Sequence, residues 1–247
     1  MTRNATARLA GLLYFLTVPA GTFALLNVLT LPQDDIGAAV AAIEANRRQF
    51  ELAILAGAFT FVDYIVLVLV CHRLLAPFGK FAANLMVLLV MASVPLSLMA
   101  MARRLDVLSL LDAGSALPAL SAEQVQFQIG LALQSDHNLF TLSAIFWGLW
   151  LVPLGWLAIR SGFIPRLIGL LLIGGGFGYL SVFVFPLLGA GFAESAFVAG
   201  LSSVLMVLTL AGEFSFIVWL LVMGDKRWPW SSRQDGEAGE VQAVRAA

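Results

Sequence analysis

Charge is what this sequence has least of. Asp, Glu, Lys and Arg make up 12% of its 247 residues, about half the share found in soluble domains. Hydrophobic residues make up 60%, and the mean hydropathy is +0.93. This balance excludes an ordinary soluble domain and points to a single membrane-embedded bundle. The 14 basic and 15 acidic residues leave a net charge of -1, which excludes a broad cationic surface for nucleic acid. Cys71 is the one cysteine, so no internal disulfide is possible. The two histidines, His72 and His137, fall at opposite ends of the apolar segments. A metal centre needs three or more converging ligands, so neither a metal nor another cofactor is expected. No GxSxG, no HExxH and no glycine-rich phosphate loop between a strand and a helix occurs, and no catalytic residue is assigned.

What the sequence does have is long apolar runs. Residues 9–31, 52–75, 82–102, 139–159, 167–188 and 197–222 are each apolar enough and long enough to cross a hydrocarbon core of about 30 Å at about 1.5 Å per residue. The pattern predicts an all-α, polytopic bundle of six transmembrane helices. Its membrane domain covers residues 1–223, and residues 224–247, small and polar, form a disordered cytoplasmic tail. The first run follows Arg3 and Arg8 but is too long for the apolar part of a signal peptide, so it reads as a retained span. Spans four and five are joined by a tight basic turn containing Arg160, Gly162, Pro165 and Arg166.

Two amphipathic stretches lie between spans. Asp34 and Asp35 can cap a short helix with Ile36, Val40, Ile43 and Phe50 on one face, and with Glu44/Arg48 and Arg47/Glu51 as i,i+4 pairs. Ser121 and Gln124 fit a capping box that opens a helix leading into span four.

The basic residues set the orientation. Arg3, Arg8, Arg73, Lys80, Arg160, Arg166, Lys226, Arg227, Arg233 and Arg245 fall on the side of the termini, and Arg47, Arg48, Arg103 and Arg104 on the other. The positive-inside rule therefore predicts both termini in the cytoplasm. Trp156, Trp228 and Trp230 would sit at the cytoplasmic interface, whereas Trp147 and Trp150 fall near mid-membrane and fill helix packing or line a cavity.

The segments ARLAGLLYFLT, GLWLVPLGWLAIRSGFIPRLIGLLL, GFGYL and GEFSFIVWLLVMG together resemble the bacterial integral-membrane family catalogued as domain of unknown function 4386. The resemblance is most specific from Gly148 to Tyr179. It implies a multi-pass protein of the bacterial cytoplasmic (inner) membrane with about six helices. The family has no established activity, so no site residue is carried over from it.

Polar residues inside the spans carry what function the sequence offers. Asp63 lies mid-way along span two and Glu213 about one turn past the middle of span six. An intramembrane acid costs about 2.5–3.5 kcal/mol to insert and is read first as a functional site, here a buried carboxylate site. The plainer reading is a hydrogen bond that joins two helices. At the outer mouth of span four, Asp136 and His137 lie at a depth similar to Arg103 and Arg104, and a solvated helix entrance is the favoured reading of that cluster. Gly174 and Gly178 form a GxxxG helix-packing motif, within the bundle or in a homo-oligomer through span five. Val18-Pro19-Ala20-Gly21 in span one recurs as Val152-Pro153-Leu154-Gly155 in span four, a hint of an inverted repeat with three spans per half.

Three readings follow. The first is a bundle that binds or moves a small solute or ion through Asp63 and Glu213. The second is a non-catalytic scaffold or sensor subunit whose partner is the lipid bilayer and its neighbours. The third, least supported, is an intramembrane enzyme at Asp136 and His137.

Overall fold

The computed structural model of the chain describes residues 2–32, 34–113 and 121–225. Trp228, Trp230 and all but the first two residues of the expected tail lie outside the described residues. Six helices are long and apolar enough to cross a membrane: α1 (Arg3–Leu29), α3 (Arg47–Leu75), α4 (Lys80–Ala113), α5 (Ala122–Ser161), α6 (Arg166–Leu187) and α8 (Ala196–Val222). Two short helices, α2 (Ile36–Ala45) and α7 (Ala190–Ala193), connect them at the end of the bundle away from the termini.

Local chemistry sets the helix ends. The side chains of Thr2, Asp35 and Ser195 accept backbone N–H groups in the first turns of α1, α2 and α8, which satisfies donors a helix leaves open. Both halves of the Ser121/Gln124 capping box form, at 3.2 and 2.8 Å. At the other end of α5, Gly162 takes the left-handed conformation (φ +68°) that a residue with a Cβ rarely adopts. The expected Glu44–Arg48 pair is replaced. Asn46, at φ -121° and ψ +31°, breaks the helix between α2 and α3. Arg48 meets Glu51 instead, beside the expected Arg47–Glu51 pair, and Arg47 also reaches Asp112 across to α4 at 2.7 Å.

The six long helices form a ring in chain order. Each packs on its neighbours in sequence, and α8 closes back on α1. Exposed Leu12, Phe15, Leu26, Leu55, Leu88, Leu170, Val207 and Phe214 make its outer surface apolar, as a lipid-facing surface requires. Near the end that holds the termini, Trp156 is partly exposed and carries the Arg160 guanidinium over its ring at 4.7 Å.

This order overturns the inverted repeat. A two-fold axis in the membrane plane reverses the sense of rotation between the two halves, so it would place α1 beside α5 and α4 beside α8. The ring instead places α4 beside α5 and α1 beside α8.

Glycines bring the later helices together. A Cβ at Gly148 would lie 2.5 Å from the Gly176 carbonyl oxygen, and one at Gly169 would lie 2.6 Å from that of Gly155, so α5 and α6 meet backbone to backbone. On the next face of α6, Gly175 and Gly178 pack on Thr209 and Leu205 of α8. Of the Gly174/Gly178 motif only Gly178 makes a close contact; Gly174 has just the Leu208 methyl, 3.7 Å from its Cβ position. The contact face therefore follows the three-residue spacing of Gly175 and Gly178, with Gly174 one step of about 100° off it.

The helices α4 and α5 are 34 and 40 residues long, which at about 1.5 Å per residue is roughly 50 and 60 Å, well beyond a bilayer core. Their extra turns pack with α2 and the ends of α1 and α3 around a second small core that includes Ile43, Phe50, Val107 and Ile129. This cap covers the end of the ring away from the termini.

Candidate functional site

Between the cap and the middle of the ring is a cavity of about 200 Å³ whose wall takes residues from all six long helices. The helical period selects them. Tyr14, Thr17, Gly21 and Ala24 form one stripe of α1, and Gly57, Thr60, Phe61 and Tyr64 one stripe of α3. Val18 of α1 and Leu210 of α8 belong to the wall and are also exposed on the outside of the ring, so the cavity opens between those two helices.

One carboxyl group lines this space and a second lies behind its wall. Glu213 is in the wall itself; its Oε1 accepts the Tyr14 hydroxyl at 2.9 Å, and the Tyr179 hydroxyl lies 3.3–3.4 Å from both its oxygens. Three helices, α1, α6 and α8, meet at this one side chain. Asp63 is buried on α3 behind the wall, against the Thr17 hydroxyl at 2.5 Å. Thr17 also lies 3.0 Å from the Leu13 carbonyl, so its single proton serves two acceptors. An unprotonated Asp63 accepts that proton, and a protonated one donates its own to Thr17. Tyr14 and Thr17 are three residues apart, so the two acids are tethered to α1 at depths that differ by about 4.5 Å.

The wall also carries a group of aromatic rings among aliphatic side chains and threonines. Trp150 has the rings of Tyr14 and Tyr64 at 5.8 and 5.2 Å, and Trp147 has those of Phe61, Phe140 and Tyr179 at 6.1, 4.9 and 6.1 Å. Both tryptophans that the sequence places near mid-membrane thus line the cavity.

At the cap end the wall includes Arg104. Its Nε and Nη2 donate to the two oxygens of Asp136 at 2.8 and 3.2 Å, and its Nη1 donates to the Ala24 carbonyl at 2.7 Å. Arg104 and Asp136 are each only 2% exposed. Beyond them, under α2, is a second cavity of about 150 Å³ whose wall includes Arg104, Asp136, His137 and Gln134. Arg104 is common to both cavities.

The solvated helix entrance expected around Asp136 is therefore a buried ion pair. The reason is length: α4 and α5 continue past the membrane and seal that segment against α1. Of the four residues of the expected cluster, Arg104, Asp136 and the exposed His137 meet at the second cavity, whereas Arg103 pairs with Asp106 at 2.9 Å on the surface. Among the described residues no group of three or more His, Cys, Asp or Glu side chains comes together. Sequence reasoning passed over Thr17, and it gave Arg103 and Arg104 equal standing.

The family model described as "Domain of unknown function (DUF4386)" matches residues 9–224, and the chain belongs to that family. No curated protein and no solved structure matches it.

Proposed function

We propose that this member of the DUF4386 family binds a small solute or ion within its ring and moves it across the bacterial cytoplasmic membrane, with Glu213 and Asp63 as its polar site. The observation that carries this reading is a cavity walled by all six spans that has a carboxylate in its lining. A protein that served only as a scaffold would have no use for that space, since the same helices could join through a dry core. Residues 1–223 form the membrane domain. Both termini are cytoplasmic, so the cap and its second cavity face outward; the ten basic residues on the side of the termini support this orientation.

Flux into proteoliposomes tests the reading. The wild-type chain is expected to carry a proton or cation current, and Glu213→Gln and Asp63→Asn are each expected to abolish it while the protein still folds. Wild-type vesicles no leakier than empty ones would leave the scaffold reading standing. A reporter active only in the cytoplasm, fused at the C-terminus, tests the orientation; its silence would reverse it.

A further inference from the structure

We infer that the ligand of this cavity is a small organic ammonium ion, held by the Glu213 carboxylate within a cage of aromatic rings. The inference rests on the proposed function and names the class of solute.

Charge excludes anions first. Arg104 is the one basic residue in the wall among the described residues, and Asp136 and the Ala24 carbonyl already take up its guanidinium. Glu213 and Asp63 have hydroxyl partners and, among the described residues, no basic one. Any fixed charge the cavity offers a ligand is therefore negative.

The wall then argues against a bare metal ion. Hard cations such as calcium or magnesium take six or more oxygens. Here one carboxylate and a few hydroxyls face the cavity, and most of the rest is Trp147, Trp150, Tyr64, Tyr179 and aliphatic side chains. Aromatic faces stabilise a cation that has lost its water, and they do so best for alkylated ammonium groups, whose charge is spread over apolar surface. The tyrosines serve twice, because Tyr14 and Tyr179 orient Glu213 through their hydroxyls and present their rings to the same space. Access agrees with this chemistry. The opening between α1 and α8 is flanked by Val18 and Leu210 on the lipid-facing surface, a route that suits a cation with an apolar coat. The volume of about 200 Å³ limits the ligand to a small one.

Isothermal titration of the full chain in nanodiscs tests the inference, with tetramethylammonium chloride as probe and sodium chloride and the neutral tert-butanol as controls. The expected result is saturable heat with tetramethylammonium and with neither control. Glu213→Gln and Trp147→Leu should each weaken binding by about tenfold or more, whereas Ser97→Ala, which lies outside the wall, should stay within about threefold of wild type. Thermal unfolding of each unliganded variant shows whether it is folded. Should Glu213→Gln unfold, loss of binding in a folded Trp147→Leu supports the cage alone. The inference is overturned if sodium chloride gives the same heat, or if folded Glu213→Gln binds as wild type does. Glu213-dependent proton or sodium flux without ammonium binding overturns the ammonium ligand and leaves the proposed function intact. Loss of both signals in the wild-type chain overturns the two together.

Discussion

Asp136 and Glu213 are acids inside the same ring, and the ring holds them by opposite means. Asp136 meets a guanidinium along two bonds, and the third direction of that guanidinium is taken by a backbone carbonyl. Every charge there is answered within the protein, so the group adds rigidity and offers nothing to a visitor. Glu213 meets two tyrosine hydroxyls, which orient its oxygens but bring no positive charge. Hydroxyls can hold a carboxyl in either protonation state, and they supply no counter-charge. The lesson is that burial alone does not mark a site. The partner decides: a counter-ion completes a structural element, whereas hydroxyl partners leave a vacancy in charge.

Variants can break or sharpen this contrast. The largest effect is expected at the ion pair, where Asp136→Ala leaves Arg104 buried without its counter-charge and should cost about 3–5 kcal/mol in denaturant unfolding of the detergent-solubilised protein. Combining Arg104→Met with Asp136→Leu should recover most of that loss; a double variant as unstable as the single one would mean that the pair does more than fill space. Next in size is Gly148→Val, which drives a side chain into the Gly176 carbonyl and should cost about 1–3 kcal/mol. It gauges the α5–α6 contact independently of the polar groups. Tyr14→Phe removes the shortest bond to Glu213 but leaves Tyr179 in place, so a loss of about 1 kcal/mol is expected, together with a clear loss of flux. If Tyr14→Phe were as destabilising as Asp136→Ala, the two acids would be held alike and the contrast would fail. The smallest effect belongs to Ser97→Ala, which removes the 3.1 Å bond to Ser143 between α4 and α5. About 0.6 kcal/mol in unfolding and no change in flux are expected, as for an ordinary interhelical hydrogen bond.

The spans were legible because hydrophobic length is a coarse signal that needs no partner. The observed α6 and α8 lie within a residue of the expected runs, and α1 ends two residues short of its own. The outer parts of α4 and α5 were harder to read, since a helix that leaves the membrane is stabilised by packing against other segments and carries polar residues that look like loop. Treating Arg103 and Arg104 alike failed for a related reason. Neighbours in sequence differ by about 100° around a helix, which sends Arg103 to Asp106 at the surface and Arg104 inward to Asp136. The contact of Glu213 with Tyr14 and Tyr179 joins residues whose places along their spans give them similar depths. The Thr17–Asp63 bond was not legible, because a single threonine in an apolar run gives no sign of which way it faces. The repeated Val-Pro motif misled because four residues say nothing about the order of helices around a ring.

That order has a consequence for how the chain is made. A helix emerging from the ribosome finds the partner it packs on already inserted, so α3 to α6 can each settle as they arrive. The exception is α8, which must settle on α6 and also return to the first helix made. Its seam is fastened by Gly11 against Leu220 and Leu221, and by Arg3 against Asp225. Tyr14 and Glu213, 199 residues apart, come together only at that moment. Until the last span is in place the nascent protein is an open arc, and the wall of the cavity lacks Leu210 and Glu213.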